Sequence, residues 1–127
     1  MPPFSLASKV ASYPTTLPYE IIKNDILGKR YALTLVFVGE ARAKTINELS
    51  RKKTYAPNVL SFPLDINCGE IVICPKVAAR EAKDFNLSVT GYIGFLFIHG
   101  LLHLKGHDHS DTMEKLEQRY IRKYQIS

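Results

Sequence analysis

A single apolar run organises this chain: Val89-Thr-Gly-Tyr-Ile-Gly-Phe-Leu-Phe-Ile-His-Gly-Leu-Leu-His103. The run predicts a helix that is apolar on every face, and such a helix is buried at the centre of a fold. Up to Leu104 it contains about 16 residues, short of the roughly 20 needed to cross a bilayer. We therefore expect a buried central helix that ends in histidines, and no membrane partner.

The patterns of apolar residues around this helix predict further strands and helices. Strands are expected at Tyr31–Val38, Val59–Phe62 and Ile71–Ile73, the last two joined by a turn-rich link over Asp65–Gly69. Helices are expected at Tyr19–Leu27, at Ala41–Ser50, from Pro75 to about Phe85, and from Asp111 onward with Glu114 completing a capping box.

The N-terminal segment, residues 1–18, contains four prolines and is predicted to be irregular, as loops or an edge strand. Together these elements predict one compact α/β (α+β) domain over residues 1–127, long enough to bury a core. In it a small mixed β-sheet packs with about five helices, and a metal site lies at the end of the buried helix.

Composition narrows the class of partner and the compartment. The formal net charge is +5 and the pI is about 9.2, which fits an anionic partner such as nucleic acid. Two cysteines are too few for a disulfide scaffold, and the first residues show no signal-peptide pattern. We therefore expect a cytoplasmic protein with reduced thiols.

All four histidines of the chain lie between His99 and His109. His99 and His103 are four residues apart and share one helical face. Gly106 allows a turn, after which His109 can supply a third imidazole. Three histidines that leave a fourth position open to water are typical of a hydrolytic Zn²⁺ site, although Ni²⁺ and other divalent transition metals also suit imidazole.

Two neighbouring residues complicate the ligand set. His107 could replace His109 as the third ligand, but we prefer His109 because the longer interval leaves a whole turn around Gly106. His107 is then an orienting partner, a proton donor or an exposed side chain. Asp108 is expected to orient a histidine or to cap the turn.

The histidine spacing overlaps the metzincin protease motif H-E-x-x-H-x-x-G-x-x-H, with one informative difference. Metzincins use the glutamate after the first histidine as general base. The residue at that position here is Gly100, which cannot move a proton. A peptidase with the metzincin mechanism is therefore disfavoured.

Three segments together resemble the YbeY family, the bacterial endoribonucleases of ribosomal RNA maturation. They are Asn58-Val-Leu-Ser-Phe-Pro63, Gly69-Glu-Ile-Val-Ile-Cys74 and the histidine cluster. The family patterns are N-V-L-S-F-P, G-D-[IL]-V-I and H-G-x-L-H-L-x-G-Y-D-H, and the resemblance covers roughly residues 31 to 124. This chain departs from them at Glu70 and at His107, where the family has aspartate and tyrosine.

The resemblance implies an α/β domain with one zinc-type ion held by His99, His103 and His109. It also implies hydrolysis of single-stranded RNA, with a role in processing the 3′ end of small-subunit rRNA and in ribosome biogenesis. Ribosomal RNA is then the expected partner, with the ribosome or its proteins as further partners, and no DNA.

The resemblance also singles out Arg51, seven residues before Asn58, as an arginine important for activity. From the residues alone, its guanidinium could bind a phosphate near the metal and stabilise charge in the transition state. The alternative is a solvated basic surface, because Lys52 and Lys53 follow.

Two other functions stay open on the sequence. The first is a non-catalytic RNA- or ribosome-binding protein with a structural zinc, which would need a fourth protein ligand such as His107 or Asp108. The second is a metal hydrolase of a small or peptide substrate. The leading hypothesis is phosphodiester hydrolysis, in which either water or the RNA 2′-hydroxyl attacks.

Overall fold

A computed structural model describes residues 2–127 of the chain. The strands are β1 (Phe4–Ser8), β2 (Ala32–Phe37), β3 (Val59–Asp65) and β4 (Cys68–Ile73). The helices are α1 (Tyr19–Leu27), α2 (Glu40–Arg51), α3 (Pro75–Glu81), α4 (Val89–Leu104) and α5 (Asp111–Lys123). A 3₁₀ turn (Ala82–Phe85) continues α3.

The four strands form one mixed sheet in the order β1-β2-β4-β3. β1 and β4 run parallel to β2, and β3 pairs antiparallel with β4 as a hairpin. Alternate residues of β2 face opposite sides of the sheet. Leu33, Leu35 and Phe37 lie in the larger core with α1 and α4, whereas Val36 packs into a smaller core beside α2.

The helix α4 is the centre of the molecule, as the sequence predicts. It packs against β3, β4, α1, α3 and α5, and ten of its sixteen residues are buried. Within residues 2–127, no single helix is long and apolar enough to cross a membrane. α3 with its 3₁₀ turn and α4 reach that length and composition only as a pair bent by 102°.

The N-terminal segment corrects one expectation. Phe4–Ser8 is not irregular but forms the edge strand β1, the alternative that the prolines left open. An edge strand pairs on one side only, and Pro2 and Pro3 precede the paired residues, so neither removes a bond from the ladder. Met1 lies outside the described residues.

The β3–β4 connection is shorter than predicted. The strands extend to Asp65 and begin again at Cys68, so the expected link over Asp65–Gly69 shrinks to the two residues Ile66 and Asn67. The polar residues at the ends of both strands favour a loop by composition. Backbone pairing nevertheless continues to Asp65 and Cys68, with a register shift between Pro63 and Asp65.

The start of α5 also differs in detail from the capping box that was expected. Ser110 is the N-cap, and its Oγ accepts a hydrogen bond from the Met113 backbone N–H at 3.2 Å. Asp111 is then the first helical residue, and Glu114 lies one position too late to complete a box. The negative charge of Glu114 in the first turn still interacts favourably with the helix dipole.

The other end of α5 is attached to α1. Asp25 accepts from the Lys123 ammonium at 2.5 Å and from the Tyr124 hydroxyl at 2.6 Å. These hydrogen bonds, that from Lys123 first, hold the pKa of the Asp25 carboxyl below its usual value. The contact fixes α5 on the molecule, and α5 in turn presents one residue to the histidines at the end of α4.

Candidate metal centre and cleft

The structure brings His99, His103 and His109 together. Their potential ligand atoms all lie within 4.8 Å of one another, and the three ring centroids are 4.5 to 5.2 Å apart. His99 and His103 are half-buried on one face of α4, and His109 reaches them from the loop that leads to α5. Zn–N bonds of about 2.0–2.1 Å require nitrogens grouped in this way.

A hydrogen bond at Nδ1 orients each of the two helical histidines. His99 Nδ1 lies 2.7 Å from Oε2 of Glu117, a buried carboxylate on α5. His103 Nδ1 lies 2.9 Å from the backbone oxygen of His107. Both partners are acceptors, so both Nδ1 atoms donate, and in the neutral imidazoles both Nε2 atoms present a lone pair.

These two Nε2 lone pairs face each other at 3.0 Å. Two acceptors at that distance repel unless a cation lies between or beside them. Burial, and next the neighbouring His99, holds the pKa of His103 below its usual value, so a proton is poorly held there. The donor set therefore fits a divalent transition metal, for which His109 could supply a third nitrogen.

His107 and Asp108 lie outside this group of ring nitrogens and carboxylates. His107 contributes its backbone. The N–H donates to the Leu102 carbonyl at 3.0 Å, and the carbonyl accepts from His103. His107 thus orients a histidine through its main chain. Asp108 is exposed, and its negative charge opposes the lowering of the His103 pKa.

The structure explains why position 100 is a glycine, which the sequence alone did not show. A Cβ atom at this position would lie 2.9 Å from Ser61 Oγ and 3.1 Å from Ile71 Cδ1. The Ser61 hydroxyl donates to the Gly100 carbonyl at 3.0 Å, so a side chain of β3 contacts the backbone of α4 directly. The glutamate of a metzincin would require Ser61 and Ile71 to shift, which agrees with the missing general base.

Arg51 lines the same cleft as the three histidines. This cleft has a volume of about 500 Å³, and its other walls are formed by Asn58, Val59, Leu60 and Ser61 at the start of β3. Arg51 is the last residue of α2 and is exposed, so its guanidinium is available to a ligand. The cleft therefore combines a metal-binding donor set with a cation suited to phosphate.

The buried side chain of Asn47 supports this wall of the cleft. Its Nδ2 donates to the Tyr55 carbonyl at 3.0 Å, and its Oδ1 lies 3.5 Å from the Arg51 guanidinium. Asn47 is 0% exposed. One amide thus connects the end of α2 to the α2–β3 loop, residues 52–58.

Sequence reasoning missed two residues that position this site, Glu117 and Asn47. A signal was present for both. Glu117 lies four residues after Met113 and three before Tyr120, on the apolar face of α5. Asn47 follows Ile46 and lies four residues after Ala43 on the buried face of α2. A polar residue on a buried face needs a partner, and that partner is often functional.

Comparison with known proteins finds curated relatives that share the name Endoribonuclease YbeY. The Endoribonuclease YbeY of Methylobacillus flagellatus is 41% identical over 92 residues, which cover 66% of this chain and 62% of the relative. That of Bdellovibrio bacteriovorus is 44% identical over 85 residues, 65% of this chain and 57% of the relative. The chain spans less than two thirds of the length of these curated relatives.

A solved structure shows the same fold. The solution structure of TM1509 from Thermotoga maritima superimposes with a TM-score of 0.69 at 24% identity, over 95% of this chain and 88% of the other. The model of one family, described as Endoribonuclease YbeY, matches residues 9–125. The resemblance carried by the three sequence segments is thereby confirmed, and the chain belongs to the Endoribonuclease YbeY family.

Proposed function

We propose that this protein is a metal-dependent endoribonuclease that cuts single-stranded RNA. The observation that carries the proposal is the cleft itself, in which Arg51 and the three clustered histidines line one cavity. The family name supports hydrolysis of an RNA phosphodiester. The net charge of +5 suits a polyanionic substrate.

His99, His103 and His109 would hold one divalent ion, for which we propose Zn²⁺ with Ni²⁺ as an alternative. The ion supplies Lewis-acid polarisation of the phosphate and a lowered pKa of bound water. Glu117 and the His107 carbonyl keep both Nε2 lone pairs directed into the site. Arg51 binds a non-bridging phosphate oxygen and stabilises the negative charge on the phosphoryl oxygens in the transition state.

The structure favours an enzyme over a structural zinc site. A structural site would use a fourth protein ligand. Among the described residues, the group that could hold an ion contains three histidines and neither His107 nor Asp108. An ion held by these three histidines alone would keep a coordination position for substrate or water.

The test is an RNA cleavage assay with purified protein. We expect about one equivalent of transition metal in the wild type, and its loss together with all activity in His103→Ala. Arg51→Ala should keep the metal and lose about 10²- to 10³-fold in kcat, the usual effect of removing one charge-stabilising donor. Lys53→Ala, an exposed neighbour, is the matched control and should stay within a few fold.

A metal-free, folded preparation that cleaves RNA as well as the loaded protein would disprove the proposal. Analysis of the product ends separates the two routes of attack. A 2′,3′-cyclic phosphate shows attack by the 2′-hydroxyl, and its absence at all times shows attack by water.

We propose ribosomal RNA as the substrate, with processing of the small-subunit 3′ end in the cytoplasm as its setting and the ribosome as a further partner. The support is the family together with the basic charge. Affinity for single-stranded RNA should fall steeply with salt, because counterions are released on binding. A salt-independent affinity would instead favour a small or peptide substrate.

A further inference from the structure

An aromatic platform, formed by Phe85, Tyr92 and Phe95, lies beside the histidine cluster. The Phe95 ring is 6.1 Å from that of His99, centre to centre. Phe85 follows at 6.3 Å from Phe95, and Tyr92 lies 6.0 Å from Phe95. The three rings are within 28° of parallel to one another, so they form a stacked cluster that begins beside His99 and ends at the exposed Phe85.

The outer ring of the platform is open on one side. Phe85 stacks on Tyr92 with centroids 4.9 Å apart and planes at 20°, yet it remains 53% exposed. Tyr92 beneath it is only 2% exposed. Phe85 thus stacks on Tyr92 and still leaves about half of its surface available for a flat, apolar ligand.

The platform is fixed relative to the cleft by a half-buried hydrogen-bond network. The Tyr92 hydroxyl donates to Glu81 Oε1 at 3.0 Å, and Asn58 Nδ2 donates to the same oxygen at 3.0 Å. Burial, and next the bond to Glu81, raises the pKa of Tyr92 to about 12, so the hydroxyl remains a donor at neutral pH. Asn58 also lines the cleft, so one side chain joins the two surfaces.

We propose that this aromatic platform is a stacking subsite for an unpaired RNA base next to the bond that is cut. The inference rests on the proposed function and adds to it a reason for single-strand preference. A base within a duplex has both faces covered by its neighbours, whereas an unpaired base offers a face to an aromatic ring. The exposed guanidinium of Arg51 in the adjoining cleft provides the complementary contact for a phosphate.

The absence of tryptophan from the chain makes a direct test possible. Phe85→Trp places a single indole on the platform, and a base stacked on that indole quenches its fluorescence. We expect quenching on mixing with a single-stranded oligoribonucleotide, before products accumulate, and little with the same sequence as a duplex. Ile66→Trp, at the 89% exposed tip of the β3–β4 hairpin, is the control and should not respond.

Affinity provides the second measurement. Phe85→Ala should weaken binding of single-stranded RNA about five- to 150-fold, the usual effect of losing one stacked base. Phe85→Leu keeps an apolar cover over Tyr92 without an aromatic face, so it should fold normally and lose the same affinity. Phe85→Tyr should bind like the wild type.

The outcomes separate the two proposals. If the wild type cleaves RNA while Phe85→Trp is not quenched, or Phe85→Leu binds with unchanged affinity, the platform is not a base subsite and the proposed function stands. If the wild type neither binds nor cleaves single-stranded RNA, the proposed function fails and the platform fails with it.

Discussion

Replacing Glu117 tests whether α5 sets the chemistry of the metal centre. Its carboxylate is only 7% exposed and lies 2.7 Å from His99 Nδ1. In Glu117→Ala the Nδ1–H loses its acceptor, and the imidazole is free to rotate or to carry its proton on Nε2. A proton on Nε2 removes the lone pair that would bind the ion.

The size of the effect follows from the contact. A hydrogen bond to a charged group contributes about 1.5–3 kcal/mol, and its loss leaves a half-buried donor without a partner. If that energy is lost from metal binding, affinity falls about ten- to hundredfold, at about 1.4 kcal/mol for each factor of ten. This is also the range typical of carboxylates that orient metal-binding histidines.

The assay is metal competition against a chromophoric chelator at pH 7, with circular dichroism to confirm folding. Glu117→Gln should lose less affinity than Glu117→Ala, because its amide oxygen still accepts from Nδ1–H. Glu114→Ala, an exposed acidic residue on the same helix, is the matched control and should change affinity less than twofold. Metal affinity within twofold of the wild type in a folded Glu117→Ala protein would refute the reasoning.

The other predictions concern packing, positioning and pH. Gly100→Ala should lower the free energy of unfolding by about 1–3 kcal/mol, because the added Cβ would lie 2.9 Å from Ser61 Oγ; a denaturant midpoint equal to that of the wild type would contradict this. Asn47→Ala should lower kcat and leave metal content unchanged, because it releases Arg51 and the α2–β3 loop; equal kcat would show that Arg51 needs no support. Asp25→Asn should have a lower free energy of unfolding than the wild type at pH 7, because the native pKa of Asp25 is lowered. This difference in unfolding free energy should disappear as the pH falls below 3.8. An equal difference at low pH would contradict the lowered pKa.

Much of the fold could be predicted because its strongest signals are local. The helix Tyr19–Leu27 ends where Gly28 predicts, since the positive φ of 93° there suits glycine. Apolar residues on every side of α4 predict its burial without any knowledge of its neighbours. Strand pairing beyond the apolar residues could not be predicted. β1 pairs with a strand that is distant in the sequence. The ends of the β3–β4 hairpin form through backbone hydrogen bonds, which the pattern of side chains does not reveal.

The same distinction, between contacts that are local in sequence and contacts that are distant, applies to the candidate site. Its metal-binding histidines are close in sequence, so helical spacing and one glycine turn suffice to group them. The residues that orient them come from separate elements, with Glu117 on α5, 18 positions from His99. The basic run at Arg51–Lys53 could not show which of its members lies in the cleft. That distinction depends on where α2 ends and on the buried Asn47.

The close contact between α4 and the β3–β4 hairpin also limits how this scaffold can change its chemistry. The space beside Gly100 is already filled by Ser61 and Ile71. A glutamate introduced there by a single mutation would therefore unpack the sheet before it could act as a base. Adding that base therefore requires compensating changes at Ser61 and Ile71 as well. An experimenter who selects for peptide hydrolysis from this protein should expect variants that first move the hairpin.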